Sequence, residues 1–280
     1  MLKSRFNIKY FMVAYLGALF IFSCLALHHP EWLWRGLLML ALYSTFDLVW
    51  TYARDRVWYL PTSSWISALV LANVVFPPQS LTILILLPLI AVASKQLLHL
   101  GKSRHIFNPA AFAMLAVSLF TPVVSWWSPA WGSAPLIVIA IAGLFILWRQ
   151  GRWHVTLPFL IAYAVSLAAF LLISGAGLGA IPQVVVPLVA NGATLFFATV
   201  MLIEPITSSF PKKKQRVVYA LLAGVFAVVT IVVTALLRYP NLDPFIVGLL
   251  VADLVVSLLF LPRRSALVAP APPVPSVPNI

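Results

Sequence analysis

The sequence contains one cysteine and very few acidic residues. Because Cys24 is the only thiol among 280 residues, the chain cannot build an internal disulfide framework or a cysteine-ligated cluster. Only 9% of the residues are charged, and Asp and Glu together number six. This leaves too little polar surface for a water-soluble domain of this length. It also leaves no water-exposed basic domain that could bind nucleic acid.

Catalytic and metal-binding motifs are also missing. The five histidines do not have the spacing of a metal-binding pair, and the sequence has no HExxH or CxxC motif. It has no GxSxG or Walker sequence, which argues against a hydrolase and a nucleotide-driven pump. We therefore predict no metal site and no catalytic residue.

Hydrophobic sequence dominates the chain. Hydrophobic residues make up 62% of it and the mean hydropathy is +1.04, which predicts an all-α polytopic membrane protein. The first hydrophobic stretch is too long for a signal-peptide core and lacks a small-residue cleavage site, so we interpret it as a span. The third, fourth, fifth and eighth stretches are short. The ten predicted transmembrane segments are 10–27, 33–52, 64–77, 80–94, 105–121, 133–148, 155–174, 185–203, 216–237 and 243–261.

The basic residues predict the orientation of these segments. In a ten-span chain, all 18 Lys and Arg residues except Arg35 and Arg238 fall on one side. Because basic residues concentrate on the cytoplasmic side, we predict that both termini face the cytoplasm and that the protein lies in a bacterial inner membrane. The net charge of +12 is then a topology signal, with anionic lipid headgroups as secondary partners.

A weak internal repeat divides the ten segments into two halves. Asn108-Pro109 opens the fifth segment and Asp243-Pro244 opens the tenth, and the polar opening at 61–68 resembles that at 191–194. Since five segments separate each pair, the copies cross the membrane in opposite senses, which is the pattern of inverted repeats. We predict a first five-helix repeat over 1–121, a second over 122–264 and a disordered Pro-rich tail over 265–280.

The eighth segment has an unusual end. It opens with small polar residues at 191–194 and stops at Glu204, which is followed by Pro205 and three hydroxyl residues. Small residues, proline and acids at membrane depth belong where protein or a wet cavity surrounds them. We predict that 191–209 lines the interior of the protein.

Four of the six acids lie in or at the end of a segment. Asp47 and Asp253 fall inside segments, where a charge requires a partner or a cavity; snorkelling of Asp253 toward Arg263 is the alternative. Glu204 and Asp243 stand beside prolines, so they either end a helix or take part in ion or proton passage or in a cofactor pocket. We predict an ion pathway through Asp243 and Asp253.

An ordered set of motifs resembles one family of membrane proteins. The motifs are HIFNPA at 105–110, RWH at 152–154, GAT at 192–194 followed by FF at 196–197, EPIT at 204–207 and YP at 239–240. This set, over about residues 95–262, is similar to the FNPA and TDPxT elements of the RnfD component of the Rnf electron-transport complex and the NqrB component of the Na⁺-translocating NADH:quinone reductase. The resemblance implies ten spans in two inverted halves. It also implies other membrane subunits as partners, and flavin-mediated electron transfer coupled to Na⁺ or H⁺ translocation.

The resemblance further implies a flavin, FMN or riboflavin, with Asn108, Thr194, Glu204 and Thr207 as binding residues. Relatives attach FMN through a Ser/Thr-Gly-Ala-Thr motif after the FNPA span, and the corresponding interval 121–133 lacks it. The Gly-Ala-Thr that ends at Thr194 is a different element, for which small-residue helix packing is the alternative interpretation. The sequence therefore argues against covalent FMN.

Two other functions stay open. A stand-alone channel or secondary transporter on the same inverted-repeat fold would carry a small solute without electrons, and the missing flavin motif favours it. A structural subunit that has lost its flavin would keep the fold without a redox role. The Asn-Pro and Glu-Pro-Ile-Thr elements favour the electron-transport subunit.

Overall fold

The structure is a computed structural model that describes residues 7–100, 104–123, 125–128, 133–238 and 242–260. Several sequence predictions concern residues outside these ranges, namely the tail over 265–280, the Tyr239-Pro240 motif and Arg263. Within them the regular secondary structure is helical, apart from two antiparallel strands of two residues each. The elements are α1 (Ile8–Ala26), a 3-10 turn (Pro30–Trp32), α2 (Leu33–Asp55), α3 (Thr62–Val74), α4 (Leu81–Leu97), β1 (His99–Leu100), β2 (Arg104–His105), α5 (Pro109–Ser118), α6 (Ser133–Gln150), α7 (Trp153–Ile173), α8 (Ala180–Val189), α9 (Gly192–Phe196), a π-helical segment (Phe197–Met201), α10 (Lys213–Leu237) and α11 (Pro244–Leu259).

Each of the ten predicted segments contains a helix. The eighth consists of α8, α9 and the π-helical segment, with a bend of 49° at the break between α8 and α9. The fifth begins later than predicted, because Asn108 caps α5 and Pro109 takes its first position, where the missing N–H costs no hydrogen bond. Buried Cys24 lies in α1, as predicted.

The helices differ in how much of a bilayer they could cross. Four are long and apolar enough to span it, and a fifth span results when the bent pair is taken as one; this count covers the described residues. Helices α3, α4, α5 and α11 are apolar but shorter, and so is the part of α6 over Leu136–Gln150. The ten residues of α5 rise about 15 Å, roughly half of the hydrocarbon thickness. The protein is therefore an all-α membrane protein that combines long apolar helices with shorter ones.

Close helix packing holds the second half together. Helix α10 packs against both α7 and α11, and glycines lie at both contacts. A Cβ atom at Gly224 would come within 2.8 Å of the Phe159 carbonyl oxygen, and one at Gly248 within 2.7 Å of the Ala223 carbonyl oxygen. Small residues at such crossings let helix backbones approach in lipid, where water provides no driving force for association.

Candidate functional site

Helix α5 begins at a residue whose polar groups reach three parts of the chain. Asn108 has an extended backbone, and its Oδ1 accepts a hydrogen bond from the backbone N–H of Ala111 at 3.1 Å. This is the standard role of an N-cap asparagine, since it satisfies an otherwise unpaired helix N–H. Asn108 is buried, so its remaining donors need partners inside the protein.

The Asn108 side-chain amide donates to Glu204. Its Nδ2 lies 2.9 Å from Glu204 Oε2, and the hydroxyl of Thr207 donates to the same oxygen at 3.0 Å. The loop that carries Glu204 is fixed locally, because the Glu204 carbonyl accepts from the N–H and the hydroxyl of Ser208 at 3.0 and 2.6 Å. Glu204 itself is half-buried and Thr207 is fully buried.

A second carboxylate approaches Asn108 from α11. The backbone N–H of Asn108 donates to Asp253 Oδ2 at 3.3 Å, and Asp253 has no exposed surface. We call Asn108, Glu204, Thr207 and Asp253 the Asn108 node. It joins the N-terminus of α5, the loop after the π-helical segment, and the middle of α11. The node thus places two carboxylates at one residue, with Glu204 at the side-chain amide of Asn108 and Asp253 at its backbone N–H.

The node brings together four of the six predicted site residues. Asp243 lies elsewhere: it caps α11, with Oδ1 accepting from the N–H groups of Phe245 and Ile246 at 2.9 and 3.0 Å. Its Oδ2 accepts from the indole N–H of Trp127 at 2.5 Å. Asp243 and Asp253 are ten residues apart on one helix, about 15 Å along its axis. The predicted pair is therefore separated by more than half of the 16-residue helix α11.

Thr194 also lies outside the node. It is fully buried, and its hydroxyl donates to the carbonyl of Leu188 at 2.6 Å. Its backbone N–H donates to Asn191 Oδ1 at 2.7 Å. Both bonds satisfy backbone groups at the break between α8 and α9, which would be costly to leave unpaired at membrane depth. A phosphoester at this hydroxyl would remove the bond to Leu188 and require space that the site does not have, so Thr194 does not fit covalent FMN.

The structure also contains a buried ion pair that the sequence did not predict. Asp47, which is fully buried in α2, accepts from the ammonium of Lys95 in α4 at 2.7 Å. The same oxygen accepts from the hydroxyls of Ser64 and Tyr59, and the other accepts from Gln96 Nε2 at 2.7 Å. The sequence indicated that Asp47 needs a partner. In the sequence, Lys95 contributes only to the charge bias that predicts orientation. Nothing in its spacing from Asp47 predicts the contact.

Within the part of the chain that the structure describes, no group of three or more His, Cys, Asp or Glu side chains could hold a metal ion. The node has two carboxylates, one amide and one hydroxyl. Oxygen groups of this kind can take up a proton or a hard monovalent cation without a dedicated metal cluster.

The fold and the node define a polytopic α-helical membrane protein in which capped short helices meet around buried carboxylates. Over 86 residues the chain is 35% identical to RnfD of the ion-translocating oxidoreductase complex of Salmonella paratyphi B, and equally to that of Salmonella newport. The match covers 30% of this chain and 23% of each relative, so the chain spans about a quarter of the length of the curated relatives it matches. No family model matches the chain. The predicted resemblance to RnfD is thereby confirmed, while that to NqrB stays a prediction.

Proposed function

We propose that this protein is a membrane subunit of an ion-translocating oxidoreductase complex in the bacterial cytoplasmic membrane, where it assembles with other membrane subunits. The partial identity to RnfD proteins supports the class of complex. The Asn108 node is the observation that carries the proposal, because it builds the FNPA-like and EPIT elements into one site.

The proposed architecture is two inverted five-helix repeats. Helix pairs recur in the two halves: α1 packs on α3 as α6 packs on α9, α2 on α4 as α7 on α10, and α4 on α5 as α10 on α11. Between the halves, equivalent helices meet, α5 with α11 and α1 with α6. Such self-pairing of equivalent elements is expected about a pseudo-two-fold axis.

Contacts between loops support ten crossings. The connections that follow even-numbered segments meet each other, as in the bond from Arg54 to Gln96 at 2.8 Å and that from Asn108, which precedes α5, to Glu204. The other loops also meet each other, as in the bond from Trp127 to Asp243. Two separate sets of loops are expected when every segment crosses once, with both termini on the cytoplasmic side.

Arg35, one of the two exceptions to the charge pattern, has a local role that accounts for its position. Its guanidinium donates to the carbonyls of Pro77 and Gln79 at 2.9 and 2.6 Å. It thus satisfies backbone carbonyl groups in the loop between α3 and α4. This structural role explains why Arg35 lies outside the charge bias that predicts the orientation of the protein.

In this proposal the node handles the translocated ion. Asn108 orients the Glu204 carboxylate through its amide, while its backbone N–H holds the Asp253 carboxylate at 3.3 Å. Two carboxylates that are both bonded to Asn108 can exchange a proton or share a Na⁺ ion, whereas two unpaired charges in a bilayer would be costly. Asp243, the N-cap residue of α11, stays a predicted ion-pathway residue, and the hydroxyl of Thr207 donates to the same oxygen of Glu204 as Asn108 does.

The proposal includes a flavin, FMN or riboflavin, bound without a covalent link to Thr194. A flavin supplies one- and two-electron redox chemistry, and the protein supplies binding and electrostatics. Asn108, Glu204 and Thr207 present an amide and a hydroxyl beside a carboxylate, groups that can bind the polar edge of such a ring system. Thr194 instead has a structural role, because its hydrogen bonds satisfy backbone groups at the break between α8 and α9.

Purification of the complex from cells that express all its membrane subunits tests the proposal. We expect flavin absorbance that is released when the protein is denatured, and redox-driven ion uptake in proteoliposomes that falls at least tenfold in Glu204→Gln and Asp253→Asn. The matched control is Asp55→Asn, which changes an exposed acid paired with Arg54. A flavin-free, redox-inactive complex would contradict the proposal. Full redox and transport activity in both node variants would assign the chain a structural role instead.

The second candidate is a stand-alone channel or secondary transporter on the same fold. The geometry of Thr194 favours it, because it removes the remaining covalent flavin site in the described residues. It predicts solute flux in proteoliposomes that contain this chain alone, with no electron donor present. Flux that requires both the partner subunits and a donor would exclude it.

A further inference from the structure

Three basic side chains meet where α7 and α10 begin. Arg216 Nη1 lies 3.3 Å from His154 Nε2, so the guanidinium donates to an unprotonated ring nitrogen. Arg152, the N-cap residue of α7, lies close enough that the two guanidinium charges repel each other. We call Arg152, His154 and Arg216 the basic cluster.

The cluster holds the loop that carries Glu204. Arg152 Nη1 donates to the carbonyl of Ser208 at 3.2 Å. Arg216 Nε donates to the carbonyl of Phe210 at 2.7 Å, and its Nη2 reaches the carbonyl of Pro211 at 3.4 Å. A guanidinium has five N–H donors. The contacts of the described residues use fewer than five donors of each arginine, so each arginine can also donate to a further acceptor.

No carboxylate balances this charge in the described part of the chain. The sequence has no acid between Asp55 and Glu204, and the Glu204 carboxylate is engaged by Asn108 and Thr207. The ion pairs of the described residues all lie elsewhere. Burial lowers the pKa of the Arg152 guanidinium, and the neighbouring Arg216 lowers it further. Like charges are thus held together at a cost that an anion would relieve.

More positive charge lies beside the cluster. Lys212, Lys213 and Lys214 are exposed at the first turn of α10, a helix of 25 residues. The helix N-terminus adds its own partial positive charge. The hydrogen-bonded guanidinium groups and the exposed ammonium groups thus concentrate positive charge at the loop side predicted to be cytoplasmic.

We propose that the basic cluster, together with the first turn of α10, binds a phosphate oxyanion at the end of the membrane-spanning helices. Arginine forks suit phosphate oxygens in a bidentate manner, while lysines add charge without fixed geometry. The headgroup phosphate of an anionic phospholipid has this chemistry, and so does free phosphate in the cytoplasm. Since the same guanidinium groups hold the carbonyls at 208–211, occupancy also fixes the loop that carries Glu204.

Native mass spectrometry of the full-length protein in detergent tests the lipid source. We expect phosphatidylglycerol to be retained at least fivefold better than phosphatidylcholine. The double variant Lys213→Gln/Lys214→Gln changes only exposed side chains, so it should fold normally and reduce this preference at least threefold. Arg152→Gln should abolish the preference, with circular dichroism to confirm that the variant is folded. Arg56→Gln, a basic residue that follows α2, is the matched control and should retain it.

Thermal unfolding with added inorganic phosphate tests the other source. A phosphate-dependent rise in Tm that Arg152→Gln removes, without any lipid preference, assigns the site to free phosphate. Preferential lipid retention without a response to phosphate assigns it to a headgroup. Equal retention of both lipids together with no response to phosphate would overturn the proposal, as would an Arg56→Gln variant that behaves like Arg152→Gln.

Discussion

The side-chain amide of Asn108 donates to Glu204 Oε2 at 2.9 Å and joins the N-terminus of α5 to the loop after the broken eighth segment. The residues are 96 positions apart in the sequence. The bond uses a donor that an N-cap asparagine does not need for capping, because Oδ1 alone accepts from the helix. Asn108 therefore has two separable roles, and substitutions can divide them.

We expect Asn108→Ser to keep the helix cap and lose the bond to Glu204, whereas Asn108→Ala loses both. Replacement of an N-cap by alanine costs about 1 kcal/mol, and loss of a hydrogen bond to a charged group such as the Glu204 carboxylate costs about 1.5–3 kcal/mol. Thermal unfolding should thus rank wild type above Asn108→Ser, and Asn108→Ser above Asn108→Ala. Asn7→Ala removes an exposed cap of α1 and is the control. Equal losses in Asn7→Ala and Asn108→Ala would show that the node contributes no stability.

Lys95→Met should be strongly destabilising, because it leaves the fully buried Asp47 carboxylate without its cation. Removal of one partner of a buried ion pair costs about 3–5 kcal/mol. The double variant Asp47→Leu/Lys95→Met should recover most of this loss. Arg54→Gln breaks an exposed pair with Asp55 and should cost about 1 kcal/mol or less. A double variant that is as unstable as Lys95→Met would contradict this account. The measurement is chemical unfolding in detergent.

Thr194→Val should destabilise the break between α8 and α9 by about 1–3 kcal/mol, because the Leu188 carbonyl loses its donor. Thr194→Ser keeps the hydroxyl and should lie close to wild type. Thr230→Val, which removes a hydroxyl bonded within its own helix, controls for the isosteric change. Unfolding in detergent measures the stability, and in-gel flavin fluorescence measures covalent cofactor. Fluorescence that persists in denatured wild type and disappears in both Thr194 variants would contradict the structural role given to this hydroxyl.

Gly248→Ala should separate α11 from α10. The new Cβ would lie 2.7 Å from a carbonyl oxygen and 2.8 Å from a backbone nitrogen of the facing helix, and neither atom can move alone. Overpacking of this kind costs about 1–3 kcal/mol. Gly17→Ala in α1 meets no atom within 4 Å and should be neutral or slightly stabilising. If both variants had the same Tm, the close α10–α11 contact would be wrong.

Stability should depend on His105 at acidic pH. Burial, followed by the charge of Lys95, lowers the pKa of His105 to about 4, whereas an unperturbed imidazole titrates near 6.5. Between these values the unfolded chain binds the proton and the folded protein does not, so stability falls as the pH decreases from 6.5 toward 4. His105→Gln should make the pH dependence of Tm shallower in this range. A variant curve parallel to that of wild type would rule out this contribution.

Local sequence predicted the helices well, and the deviations have local causes. Each of the ten hydrophobic stretches contains a helix, because apolar sequence at membrane depth must satisfy its backbone hydrogen bonds within the segment. The start of α5 was placed too early since His105 was assigned to the segment, whereas Asn108 and Pro109 set the helix start. The sequence did not predict the break after Val189, because no residue pattern indicates that the Thr194 hydroxyl satisfies the Leu188 carbonyl in place of a helix hydrogen bond.

The sequence by itself determined the class of protein, the number of apolar segments and the residues that cap α5 and α11, because hydropathy and capping act over a few neighbouring residues. Only the tertiary structure decided which polar residues meet. It put Asp253 rather than Asp243 beside Asn108, and it paired Asp47 with Lys95, 48 positions away. These contacts depend on how the helices pack against each other, and the spacing of residues along one chain does not contain that information.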